Sequence, residues 1–66
     1  MKIYNAICDN AKQKYALMRY YAETDDVKVV NVSGYYDGFI IHIEIAETVN
    51  VETVEMVTEN IINKLA

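Results

Sequence analysis

The sequence predicts an α+β fold of two layers, α-β-β-α, in which two helices cover one face of a two-stranded antiparallel hairpin. Three observations predict it. Apolar residues recur every three or four positions through residues 3–22, they alternate on either side of Asp37-Gly38, and they return to helical spacing after Asn50. Helices are expected over about 3–22 and 51–65 and strands over about 27–36 and 39–46, with residues 1–66 forming one small domain.

The first helix is read from Tyr4, Cys8, Ala11, Tyr15, Met18 and Ala22, which line one side of a 3.6-residue period. Ile3, Ile7, Leu17 and Tyr21 widen that apolar arc, while Asn5, Asp9, Lys12, Gln13, Ala16 and Arg19 fall on the other side. An alternative order, β-α-β-β-α, makes residues 2–7 a strand and starts the helix at an Asp9 cap. Asn5 and Ala6 are poor strand formers and no glycine or proline interrupts the passage, so the single helix is preferred.

Asp-Gly is the favoured pair of a two-residue type I′ hairpin turn. With Asp37-Gly38 as that turn, Tyr36 faces Phe39. Gly34, Val32 and Val30 then face Ile41, Ile43 and Ile45 on one apolar side that ends at a Lys28–Glu47 pair. The other side pairs Tyr35 with Ile40, Ser33 with His42, Asn31 with Glu44 and Val29 with Ala46. A slip by one residue would exchange the two faces, so their separation supports the register. After an Asn50 cap, Val51, Val54, Val57, Thr58, Ile61, Ile62 and Leu65 share one helical face and Glu52, Glu55 and Glu59 another.

A two-stranded sheet leaves two unpaired edges and is marginal in water. A homodimer, with a continuous four-stranded sheet or with the broad face of the first helix packed against its mate, is therefore the expected assembly, and a monomer whose helices shield the edges is the alternative. A chain of 66 residues buries only about 60% of its unfolded surface, which also favours a partner. No stretch approaches the ~20 apolar residues of a membrane span or the pattern of a signal peptide. The one cysteine, Cys8, closes no internal disulfide and reads as a small buried apolar side chain. These features point to a cytoplasmic protein with no membrane partner.

Charge changes sign along the chain. Residues 1–22 hold Lys2, Lys12, Lys14 and Arg19 against Asp9, a net of plus three. Residues 23–66 hold nine acids against Lys28 and Lys64, a net of minus seven, which together give minus four. Asp25, Asp26, Glu47, Glu52, Glu55 and Glu59 form a candidate acidic surface for a basic protein partner. Tyr35, Ile40, His42 and Glu44 form a second candidate contact on the outer hairpin face. Nucleic-acid binding through Lys12 and Arg19 with nearby tyrosines is the competing reading, but Asp9–Lys12 and Arg19–Glu23 suit helix-surface pairs, and net negative charge opposes phosphate binding.

Ser33, His42 and Glu44 place a hydroxyl, an imidazole and a carboxylate on one surface, yet a flat strand offers neither a water-excluding pocket nor oxyanion donors, so no catalytic role is expected. One Cys and one His make no zinc framework, Glu52, Glu55 and Glu59 lack a wrapping loop, and no glycine-rich phosphate cradle exists, so neither metal nor cofactor is expected. In size and charge the chain resembles small acidic αβ proteins of phages and other mobile elements, DNA-mimicking inhibitors among them. The likeness is one of type and assigns no residue. The sequence thus points to a non-enzymatic interaction or regulatory protein, with a nucleic-acid-associated regulator and a small structural subunit of a larger assembly as alternatives.

Overall fold

Residues 2–8 form a strand, not the first turns of a helix, and this changes the architecture. The computed structural model describes residues 1–66 as β1 (Lys2–Cys8), α1 (Ala11–Glu23), β2 (Val27–Tyr35), β3 (Gly38–Ile45) and α2 (Val51–Lys64). The three strands make one antiparallel sheet in the order β1-β3-β2. The two-stranded hairpin under two helices is thereby corrected to a three-stranded sheet under two helices. The four-stranded sheet expected of a dimer falls with it, because each copy already holds three strands.

The reason lies in β3. Its Ile41, Ile43 and Ile45 are fully buried, so both rows of its backbone groups need partners away from water. β2 satisfies one row and β1 the other, in a register running from Lys2 opposite Ile45 to Cys8 opposite Phe39. Within β1 the alternation is clean: Ala6 and Cys8 are buried and Tyr4 half-buried, while Ile3, Asn5 and Ile7 are exposed. Helix α1 begins only after Asn10, whose side chain accepts from the Gln13 amide at 2.9 Å.

β1 and β2 run in the same direction on either side of β3, so α1 must cross the sheet to join them, a split β-α-β arrangement. Removing residues 2–8 from the helix also resets its buried stripe. Gln13, Leu17 and Tyr21, four residues apart, are the buried residues of α1, whereas Tyr15 of the expected stripe is 64% exposed. α1 packs over β2 and β3 and beside α2. From α2 the core receives Val54, with Val51, Ile61 and Ile62 packed against its border, and the Asn50 side chain caps the helix by accepting from the Glu52 amide. Both helices share one core cluster with Ala6, Cys8, Ile41, Ile43 and Ile45, which places them on the same side of the sheet.

The hairpin register also differs from expectation. Tyr35 pairs with Gly38, so the two loop residues are Tyr36 and Asp37, and it is Tyr36 that takes a positive φ of 54°. Gly38 is a strand residue with another task. A Cβ there would lie 2.0 Å from the Cys8 carbonyl oxygen, so only glycine lets the end of β1 close against the start of β3. Gly34 now meets Phe39, Val32 meets Ile41, Ser33 meets Ile40 and Asn31 meets His42. This is a slip of two, which keeps every side chain on its expected face. A bulge between Val29 and Asn31 then reverses the parity, turning Val29 and Val27 toward the core, opposite Ile43 and Ile45. Val30 is left 53% exposed, and Lys28 lies opposite Glu44 instead of Glu47.

The two glycines therefore differ sharply in what they tolerate. Gly38→Ala should lower stability by about 2–3 kcal/mol through a backbone clash that no rotamer relieves. Gly34→Ala, with open space around its Cβ, should be neutral or slightly stabilising. Urea denaturation of both variants checks this, and equal losses would contradict the close approach at Gly38.

Candidate interaction surface

The side of the sheet away from both helices is built in rows that cross β1, β3 and β2. One row is Ile3, Glu44 and Lys28, the next Asn5, His42 and Asn31, and the third Ile7, Ile40 and Ser33. Tyr35, paired with Gly38, ends the surface. Its apolar members are substantially open, with Ile3 at 72%, Ile7 at 49% and Tyr35 at 40% exposure, while Ile40, His42 and Glu44 on the central strand are half-buried by their neighbours. Tyr35 and Tyr36 stack edge to face with ring centroids 4.7 Å apart, and the Tyr36 ring projects almost wholly into solvent. Beside them Ile7, Asp9 and Asp37 help line a shallow concavity of about 300 Å³ between the end of β1 and the hairpin tip.

His42 illustrates what the third strand changes. Its Nδ1 lies 2.6 Å from Asn5 Oδ1 on β1, a partner the hairpin reading did not supply. Ser33 is not its neighbour but sits opposite Ile40, and Glu44 lies between Ile3 and Lys28. The expected Ser33–His42 and Asn31–Glu44 pairs are thus replaced, because the turn falls one residue earlier.

The acidic residues divide into two groups. Asp25 and Asp26 occupy the turn before β2, where Asp26 holds a φ of 63° and its carbonyl accepts the Ala46 amide at 3.0 Å. Next to Ala46, the Glu47 carboxylate pairs with the Met1 ammonium, which holds its pKa below the usual carboxylate range. Glu52, Glu55 and Glu59 are exposed on α2. Glu55 and Glu59 stand near Tyr4 of β1, whose phenol is pushed up by burial first and by these two carboxylates second. No group of three or more Cys, His, Asp or Glu side chains is placed to hold a metal ion.

The basic residues of α1 are partly engaged. Arg19 Nε meets Glu23 Oε1 at 3.3 Å, and Lys14 Nζ lies over the Phe39 and Tyr15 rings at 4.3 and 4.6 Å. The expected Asp9–Lys12 pair does not form, since Asp9 precedes the helix and its amide donates to Gln13 Oε1 at 2.6 Å.

Sequence reasoning missed the buried polar ties that hold this platform. Gln13 is fully buried and donates from Nε2 to the Ile62 carbonyl at 3.2 Å, while Asn10 Nδ2 donates to the Leu65 carbonyl at 3.4 Å. Together they fasten the β1–α1 junction to the last turn of α2. The pattern Asn10-x-x-Gln13 resembles a capping box and was the available signal. The second tie joins Tyr21 Oη and Thr58 Oγ1, 2.6 Å apart and both buried. Burial pushes the Tyr21 phenol up to about 12, against the opposing effect of its bond to Thr58.

Neither helix is long and apolar enough to cross a membrane. Comparison of the chain with protein-family models, curated proteins and solved structures finds no match.

Tyr21→Phe should cost about 1–3 kcal/mol by orphaning the Thr58 hydroxyl, and adding Thr58→Val should recover much of that loss. The neutral phenol is favoured in the folded state, so its contribution is complete below pH ~10 and is lost as pH rises toward 12. The stability gap between wild type and Tyr21→Phe should therefore narrow across that window in urea titrations. A gap independent of pH would contradict the assignment.

Proposed function

We propose that the chain is a small acidic interaction protein that holds a protein partner on the uncovered face of its sheet. One observation carries the reading: both helices lie on the same side, so Ile3, Ile7, Tyr35 and Ile40 share a surface that nothing in the chain covers. Ile7, Ile40 and Tyr35 gather at the hairpin end of that surface and Ile3 stands apart beyond the Asn5–His42–Asn31 row; exposed apolar residues grouped within a polar rim are a mark of association. His42 and Glu44 give that surface polar groups to set orientation, and the Tyr35–Tyr36 pair supplies aromatic anchors at its border.

The net charge of −4 gives the partner its sign. Glu52, Glu55 and Glu59 on α2, with Asp25, Asp26 and Glu47 beyond them, favour a basic protein and speed its encounter. An inhibitor or adaptor for a basic host protein is the form of this reading that the charge supports. The nucleic-acid alternative draws less support, because Arg19 is shared with Glu23 and Lys14 is occupied by two aromatic rings.

The test uses the tagged chain as bait in nuclease-treated lysate beside Ile7→Ser/Ile40→Ser and Glu52→Lys/Glu55→Lys/Glu59→Lys variants. Wild type should retain a partner that the serine variant loses, with folding stability changed by no more than about 1–2 kcal/mol. The lysine variant should weaken capture most at low salt. Undiminished capture by the serine variant would overturn the role of the sheet face.

A further inference from the structure

The two edges of the sheet are not alike. β2 carries the feature that discourages strand pairing, a bulge at Val30 that interrupts its ladder, whereas each edge strand holds one lysine, Lys28 in β2 and Lys2 in β1. β1 carries a regular seven-residue ladder without bulge or proline, hydrogen bonded on one side only, and it places Ile3 and Ile7 in solvent. Such an edge is a template for another strand.

Helix packing decides what kind of strand fits. Three strands span about 10 Å between the outer two, and neighbouring helix axes lie about 8–10 Å apart, so with α1 over β2 and β3 the place left for α2 is the β1 side, where its Glu55 and Glu59 act on Tyr4. A second copy set antiparallel against β1 would bring its own α2 to about 5 Å from the first, one strand spacing, where helices need about 8–10 Å. It would also set Glu55 and Glu59 against their own duplicates. A lone extended segment meets neither obstacle. On the helix side it lies beside Tyr4 and Ala6 and below the carboxylates that neighbour Tyr4, and on the open side it lies beside Ile3 and Ile7.

We infer that the free edge of β1 takes an extended basic segment of a partner protein as a fourth strand, with Lys or Arg on the helix side under Glu55 and Glu59 and β-branched apolar residues beside Ile3 and Ile7. The inference rests on the reading that the chain binds a protein, and it names the chemistry of one contact. Main-chain hydrogen bonds hold such a segment, and the alternation of its side chains gives selectivity.

The probes are two capped heptapeptides, Lys-Val-Lys-Val-Lys-Val-Lys and its Glu-Val counterpart, added to the full chain while amide exchange is followed by NMR. The Lys-Val peptide should slow, by about tenfold or more at saturation, those β1 amides that point away from β3, and the Glu-Val peptide should not. Glu55→Lys/Glu59→Lys, both at exposed helix positions, should reverse the preference. The inference is overturned if the Lys-Val peptide perturbs α2 without slowing β1, if it protects β2 instead, if neither peptide changes β1, or if protein concentration alone protects β1. In those cases capture that depends on Ile7 and Ile40 would leave the sheet-face reading standing. Loss of that dependence with β1 still protected would remove the sheet face and keep the edge.

Discussion

The pairing of β1 with β3, from Lys2 opposite Ile45 to Cys8 opposite Phe39, joins the start of the chain to a strand from its other half, and the remaining architecture follows from it. Without β1, the isoleucines of β3 would be buried beside an unpaired row of backbone groups, and the sheet would be a two-stranded ribbon of marginal stability. With it, the chain must carry α1 across the sheet to reach the far edge, and that crossing sets Leu17 and Tyr21 over Ile41, Ile43 and Ile45. The glycine at position 38 is the local condition for this pairing, because the Cys8 carbonyl occupies the space a side chain would need.

The core is small, and polar contacts between helices do part of what apolar volume does in larger domains. Tyr21 and Thr58 fix the spacing of α1 and α2, and Asn10 with Gln13 pins the end of α2 to the turn that follows β1. Buried hydrogen bonds of this kind contribute little net energy each, but breaking one leaves a desolvated group that is costly. They therefore define one packing of the two helices more than they deepen its stability. The open side of the sheet is accordingly a surface whose three rows are set by strand register and not by loops.

The legible parts of this fold were those with one unambiguous period. The alternation of β3 is carried by three isoleucines at every second residue, and α2 shows its apolar stripe from Val51 to Leu65 despite many β-branched residues. β1 was obscured because Ile3, Tyr4, Ala6, Ile7 and Cys8 satisfy a helical stripe and a two-residue alternation equally well, and an edge strand that exposes isoleucines blurs the contrast between its faces. Of the excess apolar width read into the first helix, Ile3 and Ile7 belong to this strand, whereas Leu17 and Tyr21 are the buried stripe of α1 itself. Gln13 could not be placed by polarity, since its burial depends on a carbonyl at the end of α2. The bulge left a trace: Val27, Val29 and Val32 face inward, and the three-residue step between the last two breaks the strand period. For the surface, Ile40, His42 and Glu44 could be assigned to one side from alternation alone, whereas Ile3, Asn5 and Ile7 depended on recognising β1.

The irregularity at Val30 has a further consequence for how copies of this chain behave when crowded together. A sheet with two regular edges can add neighbours at both ends and grow without limit, as filaments do. Here one margin is interrupted at Val30, so growth from that side has no continuous ladder to follow. The sheet therefore offers one continuous ladder to a neighbour, at β1, and an interrupted one at β2, so copies cannot stack edge to edge through two regular margins.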